Sequence, residues 1–361
     1  MIVSPTISNG EIGVVFATYI ISATSSPTSF GAVDLPPGLS LDGASGKISG
    51  TPTAAGTYAV TISATNGFGT GTATLVVTVA PISFSHIVNF SARALSGTGT
   101  NSLILGFAVS GNGKNLLVRG IGPGLSLFGI SDYLPAPTLT MFDNFGGVTA
   151  TNSGWQVDSG GQNDVASISA TTASVGAFAL ADGSLDAALL ITVDGGTHTA
   201  ILRDSKGATG IGLIEIYDAG GNPYASLTNV SARMNVTGGN GVLIAGLVIG
   251  GNSPKTVLIR GIGPTLSEFG VVGVLVDPRI AIFSGQTQIA SNSNWSSGTN
   301  IPTQIVAASA SVGAFPLPLG SNDAALIIKL QPGAYTVQVT SLSGATGVAL
   351  VEIYDASQWA P

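Results

Sequence analysis

The chain has 361 residues, 44% of them hydrophobic, which is enough for roughly two or three domains with packed cores. Only 8% are charged, the formal net charge is −7, and Lys and Arg form no cluster. Nucleic-acid binding and anionic-membrane binding both need a basic surface, so this composition excludes them. Membrane insertion is also excluded, because no apolar run approaches the roughly 20 residues that span a bilayer.

The absence of cysteine and the low charge bear on where the protein works. Without Cys there is no thiolate chemistry and no cysteine-ligated zinc site. A surface made mainly of Ser, Thr, Asn and Gly suits a secreted or surface-exposed chain better than a cytosolic one. Residues 1–5 lack the basic and apolar regions of a signal peptide. We therefore expect an extracellular or cell-surface chain, with no signal peptide in this sequence.

The local pattern is that of an all-β protein. Segments such as Tyr58–Ala64 and Thr72–Val79 are rich in β-branched residues and mostly alternate in polarity, and Gly, Pro, Asn and Asp interrupt the chain at close intervals. The 51 glycines follow no three-residue period, so they mark turns and bulges. No helix longer than one or two turns is predicted, with short helical turns near 125–128 and 266–269.

The first segment, residues 1–80, carries three turn motifs, at Leu35–Asp42, Gly46–Pro52 and Gly56–Tyr58. On these motifs the segment resembles an immunoglobulin-like domain that occurs in tandem on bacterial surface proteins. The resemblance implies a two-sheet sandwich that serves as a spacer or an adhesive module. The Tyr58 hydroxyl is expected to bond to a nearby loop backbone.

The remainder is a duplication, residues 83–224 followed by residues 225–361. The two copies share the motifs Ser-Ala-Arg, Arg-Gly-Ile-Gly-Pro, Ser-Val-Gly-Ala-Phe, Asp-Ala-Ala and Glu-Ile-Tyr-Asp. On these motifs both copies resemble a repeat domain of secreted or surface proteins in Verrucomicrobia-like bacteria, a family with no established chemistry to carry over. The predicted fold class is therefore all-β, with three tandem β-sandwich domains, one immunoglobulin-like and two duplicated and jelly-roll-like.

Charged residues recur at matched positions of the two copies, and several of them lie inside apolar segments that are predicted to be strands. A charge in a half-buried strand needs a partner, because its desolvation costs several kcal/mol. We predict a structural Arg–carboxylate network in each copy, and a ligand-binding arginine is the alternative. The matched residues are Arg93, Arg119, Asp186, Glu215 and Asp218 in the first copy and Arg233, Arg260, Asp323, Glu352 and Asp355 in the second.

The glycine-rich loop Gly120–Gly124 is predicted to be a turn that ends a strand. A phosphate loop needs consecutive free N–H groups and, in its Walker form, a Gly-Lys-Ser/Thr sequence. Pro123 removes one donor, no Lys follows, and the second copy has Thr265 in place of Gly124.

Three tryptophans offer a second kind of candidate site. Trp155 and Trp295 follow polar loops, where an exposed ring would form a sugar-stacking platform and a buried ring would anchor the loop to the core. Trp359 is expected to dock on a neighbouring subunit or to cover an edge strand.

No catalytic residues and no cofactor are predicted. The candidates His86, His198 and Asp182 are not retained in the second copy, which has Ser226, Tyr335 and Leu319 at those positions. No Asp-x-Asp-x-Asp calcium loop occurs. A Ca²⁺ site at Asp143-Asn144 or at Asp158 is therefore not supported by any sequence motif.

Two functions follow from this sequence. The first is a non-catalytic extracellular structural or adhesive protein of a bacterial surface, forming a fibre or surface assembly through self-association or contact with other surface proteins. The second is an array of carbohydrate-binding modules from a larger secreted protein, with a polysaccharide as partner. Exposed aromatic rings at Trp155 and Trp295 would favour the second.

Overall fold

A computed structural model describes residues 1–82, 84–99, 102–157, 164–237, 241–297 and 302–359. The chain divides into two compact units, Met1–Phe84 and Ser85–Pro361. The all-β class is confirmed. Both sequence copies lie in the second unit, whereas the sequence predicted a separate sandwich for each copy.

The first unit has two sheets, with strand orders β1-β7-β6-β3 and β2-β5-β4. Its core is a cluster of alternating strand residues such as Ile48, Ile62 and Leu75, all fully buried. The Tyr58 hydroxyl donates to the Ala54 carbonyl, as expected. The strands are β1 (Ile7–Glu11), β2 (Tyr19–Ile20), β3 (Ser29–Val33), β4 (Leu39–Asp42), β5 (Lys47–Gly50), β6 (Gly56–Asn66) and β7 (Gly69–Ala80).

Two glycines explain the turn motifs of the first unit. Gly38 has φ +90°, and a Cβ there would lie 2.1 Å from the Thr51 carbonyl oxygen. Gly50 has φ +134°, and a Cβ there would lie 2.2 Å from the Gly38 carbonyl oxygen. The two backbone segments therefore pass each other at a distance that only glycine permits.

The second unit contains sixteen described strands, eight from each copy. Those of the first copy are β8 (Ser85–Ser96), β9 (Leu103–Ser110), β10 (Lys114–Ile121), β11 (Pro137–Phe142), β12 (Val148–Asn152), β13 (Ala187–Val193), β14 (Gly196–Asp204) and β15 (Gly210–Gly221). Those of the second copy are β16 (Ser226–Val236), β17 (Leu243–Gly251), β18 (Lys255–Ile262), β19 (Pro278–Ser284), β20 (Thr287–Asn292), β21 (Ala324–Leu330), β22 (Gly333–Ser341) and β23 (Gly347–Asp355).

The strands of the two copies share two eight-stranded layers. One layer has the order β13-β10-β15-β8-β17-β22-β19-β20 and the other β12-β11-β14-β9-β16-β23-β18-β21. A single pairing of Leu227 with Ile87 joins the layers. Exchanging each strand for its counterpart in the other copy converts one layer into the other. The copies are therefore related by a pseudo-twofold axis, as in a symmetric dimer fused into one chain.

The copies meet where β8 pairs with β17 and where β9 pairs with β16. Phe90 lies opposite Leu247 at the first junction, and Phe107 lies opposite Val230 at the second. All four side chains belong to one buried cluster that draws on both copies. Neither copy forms a sandwich by itself, because the first strand of each copy completes the layer that contains the second strand of the other.

Two helices are longer than the sequence predicted, α1 (Val165–Ser174) and α2 (Pro302–Ser311), with ten residues each. Their Ser, Thr and Ala content resembles that of a loop. In α1 the Asp164 side chain accepts hydrogen bonds from two N–H groups of the first turn, and Ile168 is buried. The predicted short turns are 3-10 helices at Pro123–Phe128 and Pro264–Phe269. Over the described residues, no helix has the length and apolarity needed to cross a membrane.

Candidate functional site

A buried ion pair occupies the outward face of β10 and β15. Arg119, with none of its surface exposed, lies directly opposite Glu215 and donates to Glu215 Oε2 from Nε at 2.9 Å and from Nη2 at 2.5 Å. Its Nη1 donates to the Phe178 carbonyl at 2.6 Å, and its guanidinium carbon lies 4.3 Å from the Phe178 ring centroid. The Tyr217 hydroxyl donates to Glu215 Oε1 at 2.9 Å. Burial, reinforced by the Glu215 charge, raises the pKa of Tyr217, so this hydroxyl remains a donor.

The second copy repeats this arrangement. Arg260 donates from Nε to Glu352 at 2.8 Å and from Nη1 to the Phe315 carbonyl at 2.5 Å, and Tyr354 donates to Glu352 at 2.9 Å. Arg260 Nη2 lies 2.7 Å from Glu352 Oε2, an ion-pair contact without hydrogen-bond geometry. In both copies the ion pair fixes a phenylalanine ring beside the guanidinium.

Asp186 and Asp323 bind the glycine-rich turns instead of an arginine. Asp186 accepts hydrogen bonds from the Gly122 N–H at 2.7 Å and from the Gly124 N–H at 3.0 Å. Asp323 accepts from the Gly263 N–H at 2.8 Å and from the Thr265 hydroxyl. The chain supplies its own carboxylate where a phosphate loop would hold its anion, which agrees with the predicted turn.

Asp218 and Asp355 pair with lysines that the sequence reasoning missed. Lys114 lies 2.7 Å from Asp218, and Lys255 lies 2.6 Å from Asp355. Both lysines are buried, with exposed fractions of 5% and 3%. The sequence did contain a signal for these lysines, because they occupy matched positions in the two copies, five residues before Arg119 and Arg260.

Arg93 and Arg233 stay outside the networks. Arg93 lies on β8 between Leu213 of β15 and Ile244 of β17, so both of its cross-strand neighbours are apolar. Arg233 likewise lies between two apolar residues, one from each copy. Each arginine is half-buried, and among the described residues neither has an ion pair or a hydrogen bond from its side chain. The predicted structural role does not fit these two residues.

Each of these arginines lines an open groove on the outward face of a layer. The first groove, of about 510 Å³, is lined by β8, β15, β17 and β22, with Phe128 and Phe178 at one side and Phe283 and Gln286 from the second copy at the other. The second groove, of about 480 Å³, is lined by the counterpart strands β16, β23, β9 and β14. The two grooves cross the junctions where the copies meet.

Each of the ten residues that line the second groove has its counterpart among the fifteen that line the first. Ten lining positions are common to both, and nine carry the same residue. The first groove has Ser91, Arg93, Leu125, Phe128, Ile130, Phe178, Leu213, Ile244, Gly246 and Thr336, and the second has Ser231, Arg233, Leu266, Phe269, Val271, Phe315, Leu350, Ile104, Gly106 and Thr199. Phe178 and Phe315 also contact the buried ion pairs, whereas Arg93 and Arg233 have no structural partner within the part of the chain that the structure describes.

The tryptophans are core residues, so the proposed sugar platform at Trp155 and Trp295 is wrong. Their exposed fractions are 5% and 2%, which leaves no ring face for a sugar. The Trp155 indole N–H donates to the Ala181 carbonyl at 3.0 Å, and that of Trp295 donates to the Pro318 carbonyl at 3.2 Å. Trp359 is half-buried against the same apolar cluster as Trp295.

The residues considered for catalysis and metal binding have local structural roles. Asp182 accepts a hydrogen bond from Gln156, and the His198 ring stacks on Phe107. Asp143 accepts from two backbone N–H groups of its own turn. Asp158 lies outside the described residues. Among the residues that the structure describes, no group of three or more acidic or histidine side chains could hold a metal ion.

Comparison with known proteins identifies the first unit. Residues 2–80 match the family model named Putative Ig domain. The first unit is therefore an immunoglobulin-like β-sandwich. Comparison with curated proteins gave no match. The resemblance of the two copies to a surface-protein repeat stays a prediction.

Solved structures give only limited likenesses. A Bacteroides fragilis protein assigned as an alpha-galactosidase is 34% identical over 22% of this chain, with a TM-score of 0.21, and the match spans 17% of that protein. The titin domains Z1Z2 in complex with telethonin are 17% identical, with a TM-score of 0.22, over 58% of this chain and 92% of theirs. Extracellular domains 3–5 of Drosophila OTK are 13% identical, with a TM-score of 0.17, over 68% of this chain and 54% of theirs.

Proposed function

We propose that this chain is a non-catalytic structural and adhesive part of an extracellular protein of a bacterial surface, and that it assembles into a fibre. The observation that carries the proposal is the interlocked second unit, in which both layers continue from one copy into the other. Unfolding either copy must break the pairing of the other, so the unit resists partial opening. Such a unit suits a load-bearing role.

The distribution of charge supports a non-catalytic role. Four buried or largely buried ion pairs are internal to the copies, and each has its counterpart in the other copy. Active sites commonly keep polar groups with perturbed pKa values facing a cleft. Here the glutamates are held by arginines, and the two tyrosines of raised pKa donate to those glutamates.

Exposed aromatic residues support self-association. Phe68, Phe145 and Tyr224 expose 101%, 90% and 89% of their surface. All three lie in loops or turns, where solvent-exposed rings have no role in the core. Strands β12, β13, β20 and β21 end the layers, and over the described residues each has one edge without a neighbouring strand, to which a strand of another subunit can pair.

Electron microscopy of the purified full chain at low concentration tests the fibre. We expect filaments in the unmodified chain. Replacing Phe68, Phe145 and Tyr224 by Ser is expected to shorten or abolish the filaments without changing the far-ultraviolet circular dichroism. A chain that stays monodisperse under all conditions would contradict assembly into a fibre.

The second candidate function is carbohydrate binding. The two grooves are the candidate sites for it, because Trp155 and Trp295 are buried. Each groove combines aromatic side chains, hydroxyl-bearing side chains and an arginine with no protein partner among the described residues. Apolar surface with a few convergent polar groups is typical of a small-ligand site. An array of neutral and acidic glycans tests this candidate.

A further inference from the structure

We propose that the two grooves bind an acidic polysaccharide, each placing a sugar carboxylate on its arginine, Arg93 or Arg233. We further infer that the protein links two polysaccharide chains, because it carries one groove on each face. This inference rests on the proposed adhesive function and gives that function a ligand.

The first step is the charge of the arginines. A guanidinium stays ionised at any ordinary pH, and its planar fork of donors fits a carboxylate through two hydrogen bonds. In the first groove, the nearby carboxylate of Glu215 is already held by Arg119 and Tyr217. Asp132 lines a neighbouring hollow together with Arg93 and forms no ion pair with it among the described residues. Arg93 is therefore a half-desolvated cation to which a ligand can bring the counter-charge.

The second step is the aromatic wall. Phe128 is 59% exposed, and so is its counterpart Phe269. The Phe128 ring meets the Phe178 ring edge-on at 5.1 Å between centroids, and Phe178 is in turn fixed by Arg119. The exposed ring thus rests on a rigid support. The C–H face of a pyranose can pack on such a ring, while its hydroxyls reach the polar side chains of Ser91, Thr336 and Gln338.

The third step excludes other anionic polymers. The strands that line each groove are paired on both sides, so a peptide cannot add to them as an extra strand and must bind through side chains alone. Among the described residues that line it, each groove offers one arginine and no other cation, and the chain carries a net charge of −7. Nucleic acids need several cations for their closely spaced phosphates. A uronic-acid polymer is also charged at every sugar, but its pyranose rings have C–H faces that can pack on Phe128 or Phe269, and one of its carboxylates fits the single arginine beside them.

The fourth step is the position of the two grooves. Ala92 and Ala232, the residues before the two arginines, lie in the shared core, so Arg93 and Arg233 face outward from opposite layers. Two sites on opposite faces are suited to holding two different polymer chains. The structure therefore predicts cross-linking as well as binding.

Isothermal titration and turbidity with polygalacturonate, using the full chain, test the proposal. We expect two binding sites per chain and turbidity from cross-linked polymer. Arg93→Gln is expected to leave one binding site per chain. At concentrations where the protein is monomeric it is also expected to abolish turbidity, because a monomer with one site cannot cross-link. Arg93→Gln with Arg233→Gln is expected to weaken binding about tenfold or more, the loss of a charge-assisted bidentate contact.

Three controls make the test specific. Lys329→Gln removes one charge from an exposed edge-strand position outside both grooves and is expected to bind like the unmodified chain. Fully methyl-esterified polygalacturonate and neutral dextran lack the carboxylate and are expected not to bind. Circular dichroism of each variant establishes that it is folded.

Absence of binding, or equal binding by the double arginine variant, would overturn the assignment. Selective capture of acidic peptides in place of polygalacturonate would overturn it too. These outcomes are separate from the fibre test, since filaments seen by electron microscopy would persist when the grooves fail to bind polygalacturonate.

Discussion

Breaking the buried ion pair of the first copy should destabilise the whole second unit. The perturbation is Glu215→Leu, which leaves Arg119 buried without its carboxylate. Two charge-assisted hydrogen bonds are lost at Nε and Nη2, and the Tyr217 hydroxyl loses its acceptor. The Nη1 bond to Phe178 survives. Removing one partner of a buried pair costs about 3–5 kcal/mol, and we expect a loss of unfolding free energy in that range.

Urea unfolding of the full chain measures this loss, with the free energy obtained by linear extrapolation. The matched variant Glu352→Leu removes the equivalent carboxylate beside Arg260 and should cost a similar amount, because the two sites have the same partners. Lys329→Gln is the exposed control and should change the free energy by no more than about 0.5 kcal/mol.

A double variant separates the ion pair from the side chains that form it. Arg119→Met with Glu215→Leu removes both charges and should recover most of the lost stability, since apolar replacements of a buried pair are often neutral. A Glu215→Leu cost below about 1 kcal/mol would refute the reasoning. A double variant as unstable as the sum of the two single variants would refute it equally, because it would show no coupling.

Further predictions concern the copies, a histidine and the tryptophans. Residues 85–224 alone should form a symmetric dimer in which β8 pairs with β9 of the second molecule, and a monomeric mass by light scattering would contradict this. Burial lowers the pKa of His86 below its ordinary value of 6.5, so the unfolded chain binds more protons and stability falls as the pH drops below about 6.5. His86→Ser should remove that slope in urea midpoints measured from pH 8 to pH 5. Iodide should quench the emission of Trp155 and Trp295 weakly, and equal quenching in native and urea-unfolded chains would contradict their burial.

The sequence was sufficient to predict that Arg119 and Glu215 belong to an Arg–carboxylate network, because charges inside apolar strands need partners, but it did not show that these two residues pair with each other. The same reasoning failed for Arg93, whose neighbours Leu213 and Ile244 come from different copies. Alternation of polar and apolar residues tells which face a side chain takes, but not which strand lies beside it. Lys114 was missed because a lysine at the start of a strand usually lies in solvent.

The sequence could not predict that strands of one copy pair with strands of the other, for a related reason. Strands β9 and β17 have nearly the same pattern, so β8 has no local preference for one of them. The distinction comes from the pseudo-twofold packing, which buries Phe90 and Phe107 in one core instead of two smaller ones. A larger shared core buries a greater fraction of apolar surface, which favours the fused arrangement.

The grooves depend on this interlocking, and that dependence links the fold to the proposed ligand. Arg93 is contributed by one copy, while Ile244 and Gly246 beside it are contributed by the other. A single copy with its own separate sandwich would not assemble either groove. Of the ten shared positions in the first groove, seven come from the first copy and three from the second, so the full set of lining residues meets only when the copies pair. Duplication within one chain ensures that both grooves form in every molecule, at a fixed separation, as a cross-linking protein requires.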